Sequence, residues 1–381
     1  MHYLDHAATT PTLPEVTDLM VGILREDFGN PSSVHGYGRR AKELVEDGRD
    51  HLAAAIGARA DEIVFTGGGT EADNLGLRGG AAKLKGNGDH IIVSAFEHHA
   101  VLDSAASLER DGFEVTRVGV TADGRVEPEA VAAAVRPSTI LVSVMTVNNE
   151  IGTVQDIPGI AAAVRAVNAG ALIHTDAVQA LGNMPVDVHA WGVDLAAFAA
   201  HKLGGPKGVG ALFVRSGVPI EPIVHGGGQE RGLRSGTLNV AGIAGFGLAA
   251  AIAAKEVDVK SERLAGLRGR LLEGMREIVP DLVVNGAMEH RVAGNLNVCI
   301  PGTEGETLLL LLDREQIACS SGSACASGAL DPSHVLLAIG TSRALAKGSL
   351  RFSLGRASTE HDVEAVLTAL PKVIAQARRA A

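Results

Sequence analysis

The chain has 381 residues, a formal net charge of −10 and a mean hydropathy of +0.18. It is long enough for more than one core, and the acidic balance argues against nucleic acid or an anionic membrane as the main partner. No basic and then apolar leader opens the sequence, no apolar run reaches bilayer length, and the three cysteines form neither a disulfide framework nor a CxxC pair, so the expectation is a reduced, cytoplasmic protein.

In chain order, a short polar segment over 1–12 precedes a helix over 14–26, and Gly29-Asn-Pro-Ser-Ser33 reads as a loop. Helical spacing of Ala41, Leu44, Val45, Leu52, Ala55 and Ile56 predicts a helix over 38–56. A strand over 62–66 runs into Gly67-Gly68-Gly69-Thr70, a strand-to-helix turn where the backbone can approach an anion and Thr70 can cap the helix. Such turns are common without any ligand, and the spacing matches neither the dinucleotide nor the P-loop pattern.

Strands are predicted over 90–95, 115–120, 140–146, 171–176, 194–200 and 210–215, with helices over 128–135 and 157–168 among them. The run Ile140-Leu-Val-Ser-Val-Met145 is nearly all apolar, as a strand covered on both faces should be. The alternation predicts an α/β fold with a mostly parallel sheet between helix layers. A buried helix over 241–254 is followed by a long charged helix over about 255–278, three or four short strands and a closing helix near 360–379. The expected division is a large domain over 13–254 and a small one made of 1–12 and 255–381.

The strand ends carry polar groups: Glu97-His98-His99, Asn148-Asn149-Glu150, Asp176 with Gln179, and His201-Lys202. Each is bland alone, as a core histidine, a turn, a cap or a solvated lysine. Together, at successive strand C-termini, they are hard to explain as caps. Lysine can condense with an aldehyde, a carboxylate can keep a pyridinium protonated, and a helix start can hold a phosphate. Lys202, Asp176, His98 and the Gly67–Thr70 turn therefore point to pyridoxal 5′-phosphate (PLP). Cys319 ends an apolar run and reads as buried. Cys325, among Ser, Gly and Ala, reads as a loop thiol that is either incidental or a nucleophile.

The stretches Tyr3-Leu-Asp-His-Ala-Ala-Thr-Thr10, Gly69-Thr-Glu-Ala-Asp-Asn74, Val147-Asn-Asn-Glu-Ile-Gly152, His225-Gly-Gly-Gly-Gln-Glu-Arg-Gly-Leu-Arg-Ser-Gly-Thr237, Ser320-Ser-Gly-Ser-Ala-Cys325 and Arg351-Phe-Ser-Leu-Gly-Arg356 resemble those of the cysteine desulfurases. These are fold-type I PLP enzymes of the class V aminotransferase group, and the resemblance is to the iron–sulfur-assembly type with a long catalytic-cysteine loop. It implies a seven-stranded, mostly parallel sheet plus a smaller α+β domain, and removal of sulfur from L-cysteine to give L-alanine and a persulfide on Cys325. It further implies that Lys202 carries PLP, Asp176 pairs with its ring nitrogen, and His98 stacks on the ring. Gln179 and Asn149 would bond the phenolic oxygen. Gly69, Thr70 and His201 would hold the phosphate, with Thr237 reaching it from the partner of a homodimer. Arg351, helped by Asn149, would clamp the substrate carboxylate, and a sulfur-acceptor protein would take the persulfide sulfur; no metal is implied. A class V aminotransferase or a selenocysteine lyase is the nearest alternative, and a non-catalytic iron–sulfur or metal scaffold a distant one. One departure stands out: the family usually has serine before His201-Lys202, and here Ala200 removes that phosphate donor, leaving the backbone of Gly68 or Gly69 as its replacement.

Overall fold

The computed structural model describes residues 1–321 and 332–380. In chain order the strands are β1 (His2–Tyr3), β2 (Ile63–Thr66), β3 (His90–Ser94), β4 (Glu114–Val118), β5 (Thr139–Ser143), β6 (Leu172–Asp176), β7 (Leu195–Ala199), β8 (Gly210–Val214), β9 (Val283–Val284), β10 (Asn295–Cys299), β11 (Ile317–Ala318) and β12 (Ser349–Ser353). The large sheet has seven strands in the order β2-β8-β7-β6-β5-β3-β4. All neighbours are parallel except β8, which runs antiparallel to both β7 and β2. A short glycine-bearing connection joins β7 to β8 with no crossover helix, so the chain turns straight back.

Alternation along these strands assigns two cores. Ile92, Val142, Ala196, Phe198, Ala211 and Phe213 face one cluster, together with Leu52, Ile157, Ile160 and Phe246 from three helices. Ile91, Val93, Leu141, Leu195, Ala197 and Leu212 face the other, closed by Leu75, Leu77, Val101 and Leu108. Both faces are covered, which is why these strands are near-continuous apolar runs.

A third core gathers Leu4, Leu296, Val298, Leu308, Phe352, Val363 and Leu370. It packs on a three-stranded antiparallel sheet, β12-β10-β9, and β1 returns to pair in parallel with β11. The two helices predicted over 241–254 and about 255–278 are one helix, Val240–Ile278, 39 residues long. The change in composition marks where the rod leaves one core for another; no glycine or proline stands at that point to stop it. The helix is long and apolar enough to cross a membrane, but its apolar half is a core element, with Ile243, Phe246 and Ala250 buried. It packs at close range: a Cβ on Gly247 would lie 2.5 Å from Gly48 Cα on the neighbouring helix, Gly36–Ala55.

Candidate active site

The parallel strands β3, β5, β6 and β7 end on one edge of the sheet, where open α/β sheets bind ligands. Asp176 is the last residue of β6 and is buried, its Oδ1 accepting from the Val178 backbone at 2.9 Å. Burial raises its pKa, while the facing His98 and Lys202 pull it down. His98 caps the helix His99–Arg110, its Nδ1 accepting from the Ala100 N–H at 3.1 Å. Burial lowers the His98 pKa, against the Asp176 charge. The neutral ring therefore carries its hydrogen on Nε2.

Lys202 closes the 3₁₀ turn after β7, and its Nζ donates to the carbonyls of Ala7 at 2.6 Å and Ala8 at 2.7 Å. Gln179 Nε2 donates to the same Ala7 carbonyl at 2.9 Å. The N-terminal strap that carries Ala7 is itself held by Thr10, whose N–H and hydroxyl both donate to the His201 carbonyl at 2.9 Å. A cavity of about 410 Å³ is lined by Ala7, Asn149, Gln179, Lys202 and Lys260 among others.

A neighbouring cleft is lined by Gly67, Gly68, Gly69, Thr70, His201 and Lys207. Gly68 has φ +157° and ψ 179°, a conformation open essentially to glycine alone. A Cβ on Gly69 would come within 2.8 Å of Val178 Cγ2. The turn is braced by Glu71, which accepts from Gly67 N at 2.8 Å and pairs with Arg234 at 2.7 Å. Burial lowers the His201 pKa to about 4, helped by the charges of Lys202 and Lys207, so its ring is neutral. Ala200 is fully buried in the core beside Gly205 and offers no donor. Thr237 is exposed and does not line this cleft in its own subunit.

Arg351, on β12, is 2% exposed. It donates to the Asn149 carbonyl at 2.9 Å and to Asp5 Oδ1 at 2.7 Å, while its buried Nε has no partner among the described residues. Arg351 does not itself line the cavity but reaches its wall through Asn149, and a guanidinium at such a position suits a carboxylate. Cys325 lies outside the described residues. Cys319, in the apolar cluster around β11, has a thiol pushed up to about 12, first by burial and then by Asp5, with Arg351 opposing. Cys299 is buried and accepts from Asn285 Nδ2 at 3.1 Å. Among the described residues, no group of three His, Cys, Asp or Glu is spaced to hold a metal ion.

Sequence reasoning gave no role to several residues that the fold brings here. Asp5 pairs with Arg351. Glu97 is fully buried beside His98, accepts from Ser94 Oγ and, at 2.8 Å, from Met145 N, and burial pushes its pKa to about 8. Beneath Asp176, His174 bonds Ser143 Oγ at 2.8 Å and lies 3.6 Å from the buried Asp73. The available signal was proximity in sequence: Glu97 and Glu150 each adjoin a candidate residue.

A lysine and a carboxylate at adjacent strand ends, a histidine ring within reach of both charges and a side-chain-free turn beside neutral donors match the parts of PLP. These define a fold-type I PLP-dependent enzyme. Residues 2–366 match the family described as Aminotransferase class-V. A "Cysteine desulfurase IscS" of Clostridium botulinum is 47% identical over 378 residues, covering 99% of this chain and 95% of that one. One from Dictyoglomus turgidum is 46% identical over 376 residues, with coverage of 99% and 95%. The solved structure of a NifS-like protein superposes with a TM-score of 0.93 at 37% identity, covering 98% of this chain and 99% of the other. The chain belongs to the class V aminotransferase family, in its cysteine desulfurase branch.

Proposed function

We infer that this site removes sulfur from L-cysteine, releasing L-alanine and leaving a persulfide on Cys325. The observation that carries the reading is the facing of Asp176 by Lys202 and His98 at the strand ends, with Arg351 bonded to the carbonyl of Asn149, a residue that lines the same cavity as Lys202. PLP, when bound, supplies an electron sink for the charge developing at the substrate Cα. Lys202 carries the cofactor and, once freed, takes the Cα proton on Nζ. Asp176 would pair with the ring nitrogen, and Gln179 and Asn149 would bond the phenolic oxygen. Gly69, Thr70 and His201 hold the phosphate, with backbone N–H groups of the glycine turn replacing the donor missing at Ala200.

Arg351 fixes the substrate carboxylate, with help from Asn149. His98 would stack on the ring and, with Nδ1 held by the Ala100 N–H, would present Nε2–H to the substrate sulfur as a hydrogen-bond donor. Uptake of a proton there would require giving up the bond from Ala100. Cys325 attacks the substrate sulfur.

We also assign 13–254 as the large domain and 1–12 with 255–381 as the small one. The protein is a cytoplasmic homodimer in this reading, with Thr237 completing the partner's phosphate site. The exposed Leu24, Phe28, Val34 and Tyr37, with the Phe28 and Tyr37 rings stacked at 5.1 Å, supply an apolar face for a second copy. A sulfur-acceptor protein, of an iron–sulfur assembly or thiolation system, receives the persulfide sulfur.

The test is the absorption spectrum of the purified protein, then alanine and sulfide assayed together after L-cysteine and a reductant. A PLP band that shifts with cysteine, with equal alanine and sulfide, is expected. A band with no sulfide points to a transaminase or selenocysteine lyase, and no band after added PLP removes the role of Lys202.

A further inference from the structure

Two short segments frame the undescribed stretch that contains Cys325, and both are tied to the substrate pocket. Before it, Ser320 forms an antiparallel bridge with Arg351, its N–H donating to the Arg351 carbonyl at 3.1 Å, and the Ser321 carbonyl accepts from Ser349 Oγ at 2.9 Å. After it, Ser333 Oγ donates to Glu150 Oε2 at 2.5 Å, and His334 Nε2 donates to the Glu97 carbonyl at 2.9 Å. Ser333 Oγ also accepts from Val335 N and Leu336 N, so the hydroxyl is fully engaged.

Glu150 is well placed to transmit position. Its side chain is 3% exposed. Its N–H donates to Asn148 Oδ1 at 2.9 Å, and its carbonyl accepts from Asn295 and Asn297, both at 3.1 Å. Asn148 in turn donates to the Phe96 carbonyl at 3.0 Å, two residues before His98. The preceding residue, Asn149, gives its carbonyl to Arg351. One rigid turn thus touches the carboxylate clamp, the ring neighbour's segment and the chain just beyond Cys325. Burying a carboxyl is costly, and burial does raise the pKa of this one; a serine hydroxyl as its partner makes sense where the contact has a task.

We propose that Glu150 is a positioning residue for sulfur transfer: through Ser333 it sets where the chain carrying Cys325 starts from relative to the substrate held by Arg351. This rests on the desulfurase reading above. In the step concerned, the Cys325 sulfur attacks the substrate sulfur and an S–S bond forms. The substrate Cβ–S bond breaks, its electron pair stays with the three-carbon product, and that product takes up a proton. Ser333 is joined to Cys325 by only seven intervening residues, so where Ser333 is fixed bounds how far from the substrate Cys325 can lie.

The test uses PLP-loaded full-length enzyme in rapid-mixing experiments with L-cysteine. The absorption change reports substrate reaching the cofactor, a step that survives in C325S. Persulfide on Cys325, read by mass spectrometry after quenching within the first turnover, reports transfer. For E150A, the absorption change should keep its rate and cysteine dependence within about twofold, while persulfide formation slows about tenfold or more. E150Q, whose amide oxygen still accepts from Ser333, should recover most of the transfer rate. S333A should repeat E150A, and it carries the test alone if E150A does not fold. Transfer within about twofold of the parent in both E150A and S333A would overturn the proposal. So would equal losses in both signals, which would place Glu150 in the pocket's general architecture. A parent enzyme that makes no alanine and sulfide is a separate outcome, and it would remove the desulfurase reading itself.

Discussion

The Asp5 carboxylate lies 2.7 Å from the Arg351 guanidinium, joining residues 346 positions apart in the chain. One arm of the guanidinium is thereby neutralised and another is spent on Asn149, while Nε is buried without a partner among the described residues. Lysine cannot reproduce this three-way geometry. R351K is expected to raise the KM for cysteine about tenfold or more with the cofactor absorption unchanged, as steady-state kinetics would show. D5N should lower the thermal midpoint, by about 1–3 kcal/mol of stability, because a buried cation then faces only neutral partners.

The three cysteines should separate cleanly by reactivity. With its thiol at about 12, Cys319 holds almost no thiolate at pH 8, and Cys299 is buried and also raised by burial. Iodoacetamide followed by peptide mapping should label Cys325 and spare the other two. C319S should retain sulfide production within about twofold, whereas C325S should keep the PLP spectrum and lose sulfide release.

Glu97 gives a pH dependence with a definite sign. Its pKa rises on folding from 4.5 to about 8, chiefly through burial. Between those values the native state binds the extra proton, so this group's stabilising contribution is complete below pH 4.5 and lost as pH climbs through 8. Its Oε2 is buried without a partner among the described residues, while Oε1 accepts from Ser94 and Met145, which leaves Oε2 as the oxygen open to a proton. E97Q is a neutral isostere that keeps the acceptor for Met145. Its thermal midpoint should fall less steeply than the parent's between pH 5 and 8, where the parent loses about 1.4 kcal/mol per pH unit for each extra proton held by the native state.

The glycine turn should prove intolerant of a methyl group for a backbone reason. G68A must adopt φ +157° with a Cβ, although nothing crowds the added carbon itself. The strain is about 1–3 kcal/mol, and relaxing it would turn the N–H groups away from the cleft they line. Equilibrium dialysis of PLP should show affinity at least fivefold weaker, about 1 kcal/mol, with the fold retained by circular dichroism.

Much of this was legible because local chemistry and tertiary need agree. Most of the seven central strands, the edge strand β4 excepted, are largely apolar runs bounded by turn residues, and all lie within a residue or a few of their predicted limits. The Lys202 and Asp176 positions followed from the same runs, since the residue at the end of a parallel strand faces the ligand edge. The helix Val240–Ile278 was misread as two because its composition changes where its surroundings change, while helical propensity does not. Pairings such as Asp5 with Arg351 or Ser333 with Glu150 span 346 and 183 positions, and no local pattern encodes them.

That helix has a consequence for how the molecule comes apart. Its first half is buried with the large sheet and its second half, through Leu264, Leu267 and Leu271, with the small one. At 1.5 Å per residue it is a strut of roughly 58 Å whose every turn is hydrogen-bonded to the next. Neither core can melt without fraying a rod on which the other depends. Heating should therefore give one calorimetric transition rather than two, and a cut midway along the strut would be the shortest route to making the halves independent.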